Sequence, residues 1–260
     1  MVRIYLINLD RSPERLAFMM QQLGAIGLAA ERISAIDGAK VDLAPYADSK
    51  LKVGEIGCFL SHRAAWETLL ATDDQNALVL EDDIRLGKKL PNFLKNLAAD
   101  RSEIDVLKLD SSGRKVGLDP RFPVRFGPLS AFRLCGEHTG TAGYVISRQG
   151  AERLLEASKT FHQPVDIFLF GEAAMADRKW NVWQMVPAVL AQEKRFGSAE
   201  AKGLQSSIKS AGSARRGPSL ALAWRESRRC LRNLGKFMRR LPSRASGKRV
   251  YRRIKFDLTS

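Results

Sequence analysis

The chain has 260 residues, 45% of them hydrophobic, with 43 Lys and Arg against 28 Asp and Glu, so it is long enough to bury a full sheet-and-helix core. The excess charge is local: residues 200–260 hold 17 basic and 3 acidic residues, a net of +14, which leaves 26 against 25, a net of +1, for residues 1–199. A nearly neutral body argues against a nucleic-acid enzyme, whose basic footprint would surround its catalytic part, and no nucleic-acid partner is expected.

From the N-terminus, Arg3 to Leu9 reads as a central strand bounded by Asp10. Ser12 suits a helix cap with Pro13 at the first helical position and Glu14 in the first turn, so residues 8–13 predict a strand-to-helix corner. Such a corner sets polar groups beside helix N–H groups and suits a nucleotide. Asn8 and Asp10 are candidates there for base or ribose, and Arg11 for phosphate; each equally suits a role in pinning the turn. No glycine-rich phosphate fingerprint is present, which weighs against a dinucleotide or a P-loop ATP site.

A helix is predicted over residues 14–25, then a short strand over 31–36 leading into Asp37-Gly38, a turn signal in which Asp37 is a further ribose or base candidate. Residues 54–67 return apolar side chains at helical spacing and predict a helix on the sheet, with Gly57 permitting close backbone approach. Ser61, His62 and Arg63 interrupt it with polar groups. Adjacent side chains diverge by about 100° on a helix, so Ser61 and His62 are no nucleophile–base pair. His62 and Arg63 are candidates for diphosphate or sugar contact, against the reading of a histidine satisfied within the core.

The run Ala77-Leu78-Val79-Leu80-Glu81-Asp82-Asp83 follows four apolar residues with three acids. It predicts a buried parallel strand opening into a crevice, where three carboxylates need a cation such as Mg²⁺ or Mn²⁺ able to bridge to a diphosphate. A solvated acidic turn is the other reading. A helix follows over 90–97, a strand over 103–110, and an aperiodic stretch from Gly113 to Pro128 that reads as an excursion over an active site or a rim hairpin. Residues 138–147 give a glycine-rich approach and an apolar strand, with Ser147 capping the next helix. Asp166, Glu172 and Asp177 come next, and one acid here would sit opposite Asp83 as a general base.

These blocks together resemble the family 25 glycosyltransferases, the group of bacterial lipopolysaccharide or lipooligosaccharide galactosyltransferases and animal collagen galactosyltransferases. The resemblance runs through Asn8-Leu9-Asp10-Arg11-Ser12-Pro13-Glu14-Arg15, Gly54-Glu55-Ile56-Gly57-Cys58-Phe59-Leu60-Ser61-His62, Val79-Leu80-Glu81-Asp82-Asp83, Val106-Leu107-Lys108-Leu109, Gly140-Thr141-Ala142-Gly143-Tyr144-Val145-Ile146-Ser147 and Pro164-Val165-Asp166, over roughly residues 3–192. It implies an α/β, GT-A-like fold with a mainly parallel central sheet and flanking helices. It also implies inverting transfer of a hexose, usually galactose, from a UDP-sugar, with Mn²⁺ or Mg²⁺ as cofactor.

Glu81-Asp82-Asp83 matches the metal motif, with Glu where many transferases of that fold carry the first Asp of Asp-x-Asp. Asp83 is the first expected metal ligand, and Glu81 a ligand or a contact to ribose or metal-bound water. Asp166 is the expected base, with Glu172 and Asp177 behind it, and His138 a further metal or acceptor candidate. The expected acceptor is a lipid-linked or polysaccharide glycan of the lipopolysaccharide type. A non-catalytic carbohydrate-binding or adhesion protein of the same fold is the rival reading, and a nuclease or phosphatase is disfavoured by a supply of only 3 His for a multi-metal site.

The expected organisation is a transferase domain over 1–196, a flexible linker over 197–218 and a basic amphipathic helical tail over 219–260. In the tail an apolar stripe through Leu220, Trp224, Leu231, Leu234, Met238 and Leu241 runs beside seven Arg and Lys. That division suits attachment to an anionic membrane surface, against the alternative of packing on protein. No apolar run reaches the 18 or so residues of a membrane span and no signal-peptide core precedes the first strand. Cys58, Cys135 and Cys230 show no paired spacing. A reduced, cytoplasmic protein, peripheral on the inner membrane, is expected.

Overall fold

The computed structural model describes residues 2–98, 103–177, 180–193 and 249–257. The expected linker over 197–218 and the amphipathic stripe over 219–241 lie outside them. Strand β1 (Arg3–Asn8) leads through the Asp10–Ser12 corner into helix α1 (Pro13–Ala25), then β2 (Glu31–Ser34), α2 (Val53–Leu70), β3 (Asn76–Glu81), β4 (Ile84–Leu86) and α3 (Leu90–Ala98). Next come β5 (Val106–Lys108), β6 (Lys115–Phe126), β7 (Leu129–Leu134), β8 (Gly143–Ser147), α4 (Arg148–Ala157), α5 (Val165–Phe170), α6 (Glu172–Asp177), β9 (Val182–Val186), β10 (Leu190–Gln192) and β11 (Val250–Arg253).

Among the described residues nine strands form one sheet in the order β11-β6-β7-β9-β5-β8-β3-β1-β2, and β10 pairs with β4 in a separate ribbon. Alternation along the strands makes three layers. Tyr5, Ile7 and Val79 pack in one core cluster with Phe59 and Trp66 of α2, Leu154 of α4 and Phe168 of α5. Ile4, Leu6 and Leu80 pack in the other with Met19 of α1 and Phe93 of α3. With successive side chains on opposite faces, a strand covered on both sides must be apolar throughout.

This is an α/β fold, but the sheet corrects the expectation of a GT-A-like, mainly parallel one. Only β1–β2, β1–β3 and β5–β9 are parallel. The pairs β3–β8, β5–β8, β6–β7, β7–β9 and β6–β11 are antiparallel. The physical reason is that burial on both faces dictates an apolar run and says nothing of strand direction. β8 inserts between β3 and β5 against both, and its residues read like those of a parallel strand.

Of the two readings of the stretch from Gly113 to Pro128 the structure has the hairpin: residues 115–134 pair within the sheet and turn at Gly127 with φ +60°. One further feature departs from the one-dimensional pattern. Residues 249–257, assigned with the tail, return to the body: β11 pairs antiparallel with β6, and Ile254 is buried in the core with Val116 and Leu118.

Candidate active site

The parallel trio β2-β1-β3 brings its C-terminal ends to one rim, with Asn8 opposite Ser34 and Ile7 opposite Glu81. A cavity of about 140 Å³ lies at this rim, walled by the corner after β1, the Asp37-Gly38 turn, the first turns of α2 and the acids after β3. A wider depression of about 460 Å³ beside α4 is lined by Glu152, Arg153, Glu156, Ala157 and Trp180. It gathers neither the acids nor the strand ends, and the smaller cavity is the candidate site.

The α2 wall can approach because residue 57 is glycine: a Cβ there would stand 2.5 Å from the Ile36 carbonyl oxygen and 2.6 Å from the Gly38 nitrogen. Ser61 fastens the same contact, its Oγ accepting from the Ile36 N–H at 2.8 Å and donating to the Gly57 carbonyl at 2.7 Å. Arg11 pairs with Asp37, whose other oxygen accepts from Ala39 N at 3.1 Å and caps the 3-10 turn Gly38–Lys40. Both line the cavity. Asp10 is not in the wall. It is exposed and held by Arg32 and by Ser34 Oγ at 2.9 Å, and the Arg32 hydrogen bond chiefly lowers its carboxyl below the usual range.

The acidic end of β3 divides its labour. Asp82 is buried between Arg15, 2.7 Å away, and Asn8, whose amide donates to it at 2.7 Å. Burial raises the Asp82 carboxyl above its ordinary value despite these two. Arg15 also reaches Asp83 at 3.4 Å. Glu81 Oε1 accepts from Thr141 Oγ1 at 2.5 Å and lies 3.5 Å from His62 Nε2. Burial pushes the Glu81 carboxyl up, but His62, Thr141 and the charge of Lys108 outweigh it and hold it below its ordinary value.

Four acids (Asp37, Glu81, Asp82, Asp83) and two arginines (Arg11, Arg15) line the cavity, an excess of two negative charges. A divalent cation would offset that excess, and the carboxylate oxygens suit Mg²⁺ or Mn²⁺. The donor atoms of Cys58, His62 and Glu81 also lie within 4.8 Å of one another, a group able to hold a metal ion. Burial, with nearby acids adding to it, pushes the Cys58 thiol well above its ordinary range. A cation therefore has a place here on charge and on donor chemistry.

The other expected residues fall elsewhere. Arg63 turns away from the cavity, donating to the Ser158 carbonyl at 2.8 Å and to Ser158 Oγ at 2.6 Å, where it closes the C-terminal end of α4. His138 is buried between Gln184 Oε1 at 2.7 Å and Ser112. Asp166 accepts from Gly140 N at 3.1 Å and from Ile167 N at 2.9 Å. Glu172 is exposed in the first turn of α6 and does not line the cavity. Asp177 ends that helix, and its side chain lies outside the described part of the structure.

Sequence reasoning passed over Arg15, Thr141, Tyr144 and the pair Lys108–Asp110. Lys108 is 0% exposed, 2.7 Å from Asp110 Oδ1, bonded to the Gly140 carbonyl and 4.4 Å over the Phe170 ring. Burial raises the Asp110 carboxyl, with Lys108 opposing. A lysine inside the apolar run Val106-Leu107-Lys108-Leu109 was the available signal, since a buried charge needs a partner and a strand offers one two residues along on the same face. Arg15 lies in the first turn of α1, four residues after Arg11 of the corner that precedes it.

Residues 1–169 match the family model described as glycosyltransferase family 25 (LPS biosynthesis protein). A glycosyltransferase 25 family member of Aedes aegypti is 35% identical over 170 residues, 59% of this chain and 28% of that protein. The probable inactive glycosyltransferase 25 family member 3 of Rattus norvegicus is 32% identical over 199 residues, 68% of this chain and 33% of the relative. Procollagen galactosyltransferase 2 of Homo sapiens is 31% identical over 187 residues, 64% and 29% of the respective chains. The chain thus spans about a third of the length of the curated relatives it matches.

Proposed function

The chain belongs to glycosyltransferase family 25, and on that premise we propose that it transfers a hexose, galactose first among candidates, from a UDP-sugar to a saccharide acceptor of lipopolysaccharide or a related surface glycan, with inversion. The observation that carries this reading is the cavity at the β2-β1-β3 rim, which joins the corner at Arg11, the turn at Asp37 and the acids 81–83 in one site with two uncompensated negative charges. The resemblance to a procollagen galactosyltransferase supports galactose.

In this reading Glu81 and Asp83 hold the cation, which when bound would neutralise charge on the donor diphosphate. Arg11 and Arg15 supply fixed positive charge along the same wall, where leaving-group charge gathers. Asp37 and Asn8 orient the nucleoside end, Asn8 by holding Asp82. Asp166 is the base that takes the acceptor hydroxyl proton. It binds Gly140, the neighbour of Thr141, and Thr141 holds Glu81, so the turn Gly140-Thr141 joins the proposed acceptor side to the donor side. Glu172 and Asp177 are the alternatives for that role. Among the described residues no helix is long and apolar enough to cross a membrane, and peripheral attachment on the cytoplasmic face is part of the proposal.

The second reading, a non-catalytic sugar-binding protein, draws on the rat relative described as probably inactive. UDP release measured across nucleotide sugars with Mn²⁺, first alone and then with acceptor glycans, separates the two. Acceptor-stimulated release that is lost in Asp83→Asn, with the fold retained, is expected. UDP-sugar binding without turnover on any acceptor would favour the second reading.

A further inference from the structure

Behind Glu81 a chain of polar groups runs through the core, and its donors and acceptors can be assigned from chemistry alone. The Trp66 indole N–H, which can only donate, lies 2.8 Å from the Tyr144 hydroxyl oxygen. Trp66 and Tyr144 are both 0% exposed, so bulk solvent does not reach the contact. Among the described residues the one acceptor at the Tyr144 hydroxyl is His62 Nδ1, 2.9 Å away. Tyr144 therefore accepts from Trp66 and gives its own hydrogen to Nδ1. A neutral imidazole with Nδ1 accepting carries its proton on Nε2. Nε2 of His62, itself 1% exposed, has no hydrogen-bond partner and lies 3.5 Å from Glu81 Oε1.

We propose that Trp66 and Tyr144 fix His62 as its Nε2–H tautomer, so that it presents a proton to Glu81 and acts as a positioning residue for that carboxylate, not as a metal ligand. His62 and Thr141 both address Oε1, which leaves Oε2 without a protein partner among the described residues and available to a ligand in the cavity. A metal held by Cys58, His62 and Glu81 together would need the Nε2 lone pair. Nδ1 would then carry the proton, and the buried Tyr144 hydrogen would lose its acceptor. The positioning role rests on the cation reading above, whereas the tautomer does not.

The molecule carries its own contrast. His138 Nε2 accepts the Ser112 backbone N–H at 3.1 Å, and its Nδ1 lies 2.7 Å from Gln184 Oε1. The Gln184 amide nitrogen donates to the Asp110 and Met185 carbonyls at 3.1 and 2.9 Å, which fixes Oε1 toward the ring. His138 is thus the Nδ1–H tautomer. With 3 histidines in the chain and the last, His162, exposed, one long-range ¹H–¹⁵N spectrum of histidine-labelled, tag-free full-length protein reads all of them.

The spectrum should show His62 protonated at Nε2 and His138 at Nδ1, with His62 alone moving toward a tautomer mixture in Tyr144→Phe. His62 protonated at Nδ1 in the unmodified protein would overturn the proposal, as would a Zn²⁺ titration that displaces the Nε2 proton. If Tyr144→Phe does not fold, the unmodified spectrum still decides, and Trp66→Phe should loosen the same tautomer by freeing the Tyr144 oxygen to accept. Positioning is read separately from Mn²⁺ affinity, measured by water relaxation. His62 is the outer-shell partner of Glu81, a position worth about 10–100-fold in metal affinity, and a loss of that order is expected in His62→Ala. Unchanged affinity would overturn the positioning role alone, and no Mn²⁺ binding by the unmodified protein would overturn it together with the cation reading.

Discussion

Arg15 reaches from the first turn of α1 to the end of β3 and meets Asp82 at 2.7 Å, with both side chains at most 10% exposed. A buried pair of this kind contributes little over an apolar replacement of the same shape, but removing one partner strands a charge. Arg15→Gln should therefore cost about 3–5 kcal/mol of unfolding free energy in a denaturant titration. Arg15→Lys should recover part of this, because one nitrogen, Nη2, makes both contacts, at 2.7 Å to Asp82 and 3.4 Å to Asp83, and an ammonium on a shorter stem keeps the charge. A loss under about 1 kcal/mol, the scale of surface ion pairs, would show that the pair is not buried in solution.

Asp166 separates two roles by experiment. As the general base it should lose about 10²–10⁴-fold in kcat as Asp166→Asn, with donor KM little changed. If its work is only to hold the Gly140 and Ile167 amides, the variant should keep kcat and lose stability by about 0.5–2 kcal/mol, the scale of a lost cap.

Cys58 predicts a pH dependence. Its thiol is raised above the ordinary value of 9.0, chiefly by burial. A group whose folded pKa is raised contributes stability that is fully present below its unfolded pKa and lost as pH rises toward the folded one. Above pH 9 the unfolded chain releases a proton that the folded chain keeps, so unfolding should become easier by up to about 1.4 kcal/mol per pH unit. Denaturation midpoints at pH 8, 9 and 10 should fall more steeply for the natural protein than for Cys58→Ser, which has no proton to release. Parallel slopes would place the thiol in contact with water.

Membrane attachment through residues 219–241 calls for a variant, not a truncation after Phe196. β11 pairs with β6 and Ile254 is buried in the core, so truncation would unmake the body along with the tail. Arg228, Arg229 and Arg232 changed together to Glu should abolish sedimentation with anionic liposomes at low salt, since each juxtamembrane charge contributes on the order of 1 kcal/mol. Binding unchanged by this reversal would assign the surface elsewhere.

Local chemistry made much of the site legible in one dimension. A strand ending in Glu81-Asp82-Asp83, a corner at Asn8–Pro13 and a close approach at Gly57 each follow from side-chain type and spacing, and the structure brings all of them to one cavity. The helix expected over 14–25 from its capping corner and the one expected over 54–67 from apolar spacing stand as Pro13–Ala25 and Val53–Leu70.

What only tertiary structure decided was direction and partnership. Apolar runs in β3, β5 and β8 are dictated by burial on both faces, which is blind to whether neighbours run parallel or antiparallel, so the antiparallel β3–β8 and β5–β8 pairings could not be read from composition. Partnership is just as nonlocal. Arg63 and His62 are neighbours in sequence, yet about 100° of helical rotation sends one to Ser158 and the other to Tyr144 and Glu81. Glu81 in turn depends on Thr141, 60 residues away, because a half-buried carboxylate takes its donors from whichever strand and helix the fold places beside it.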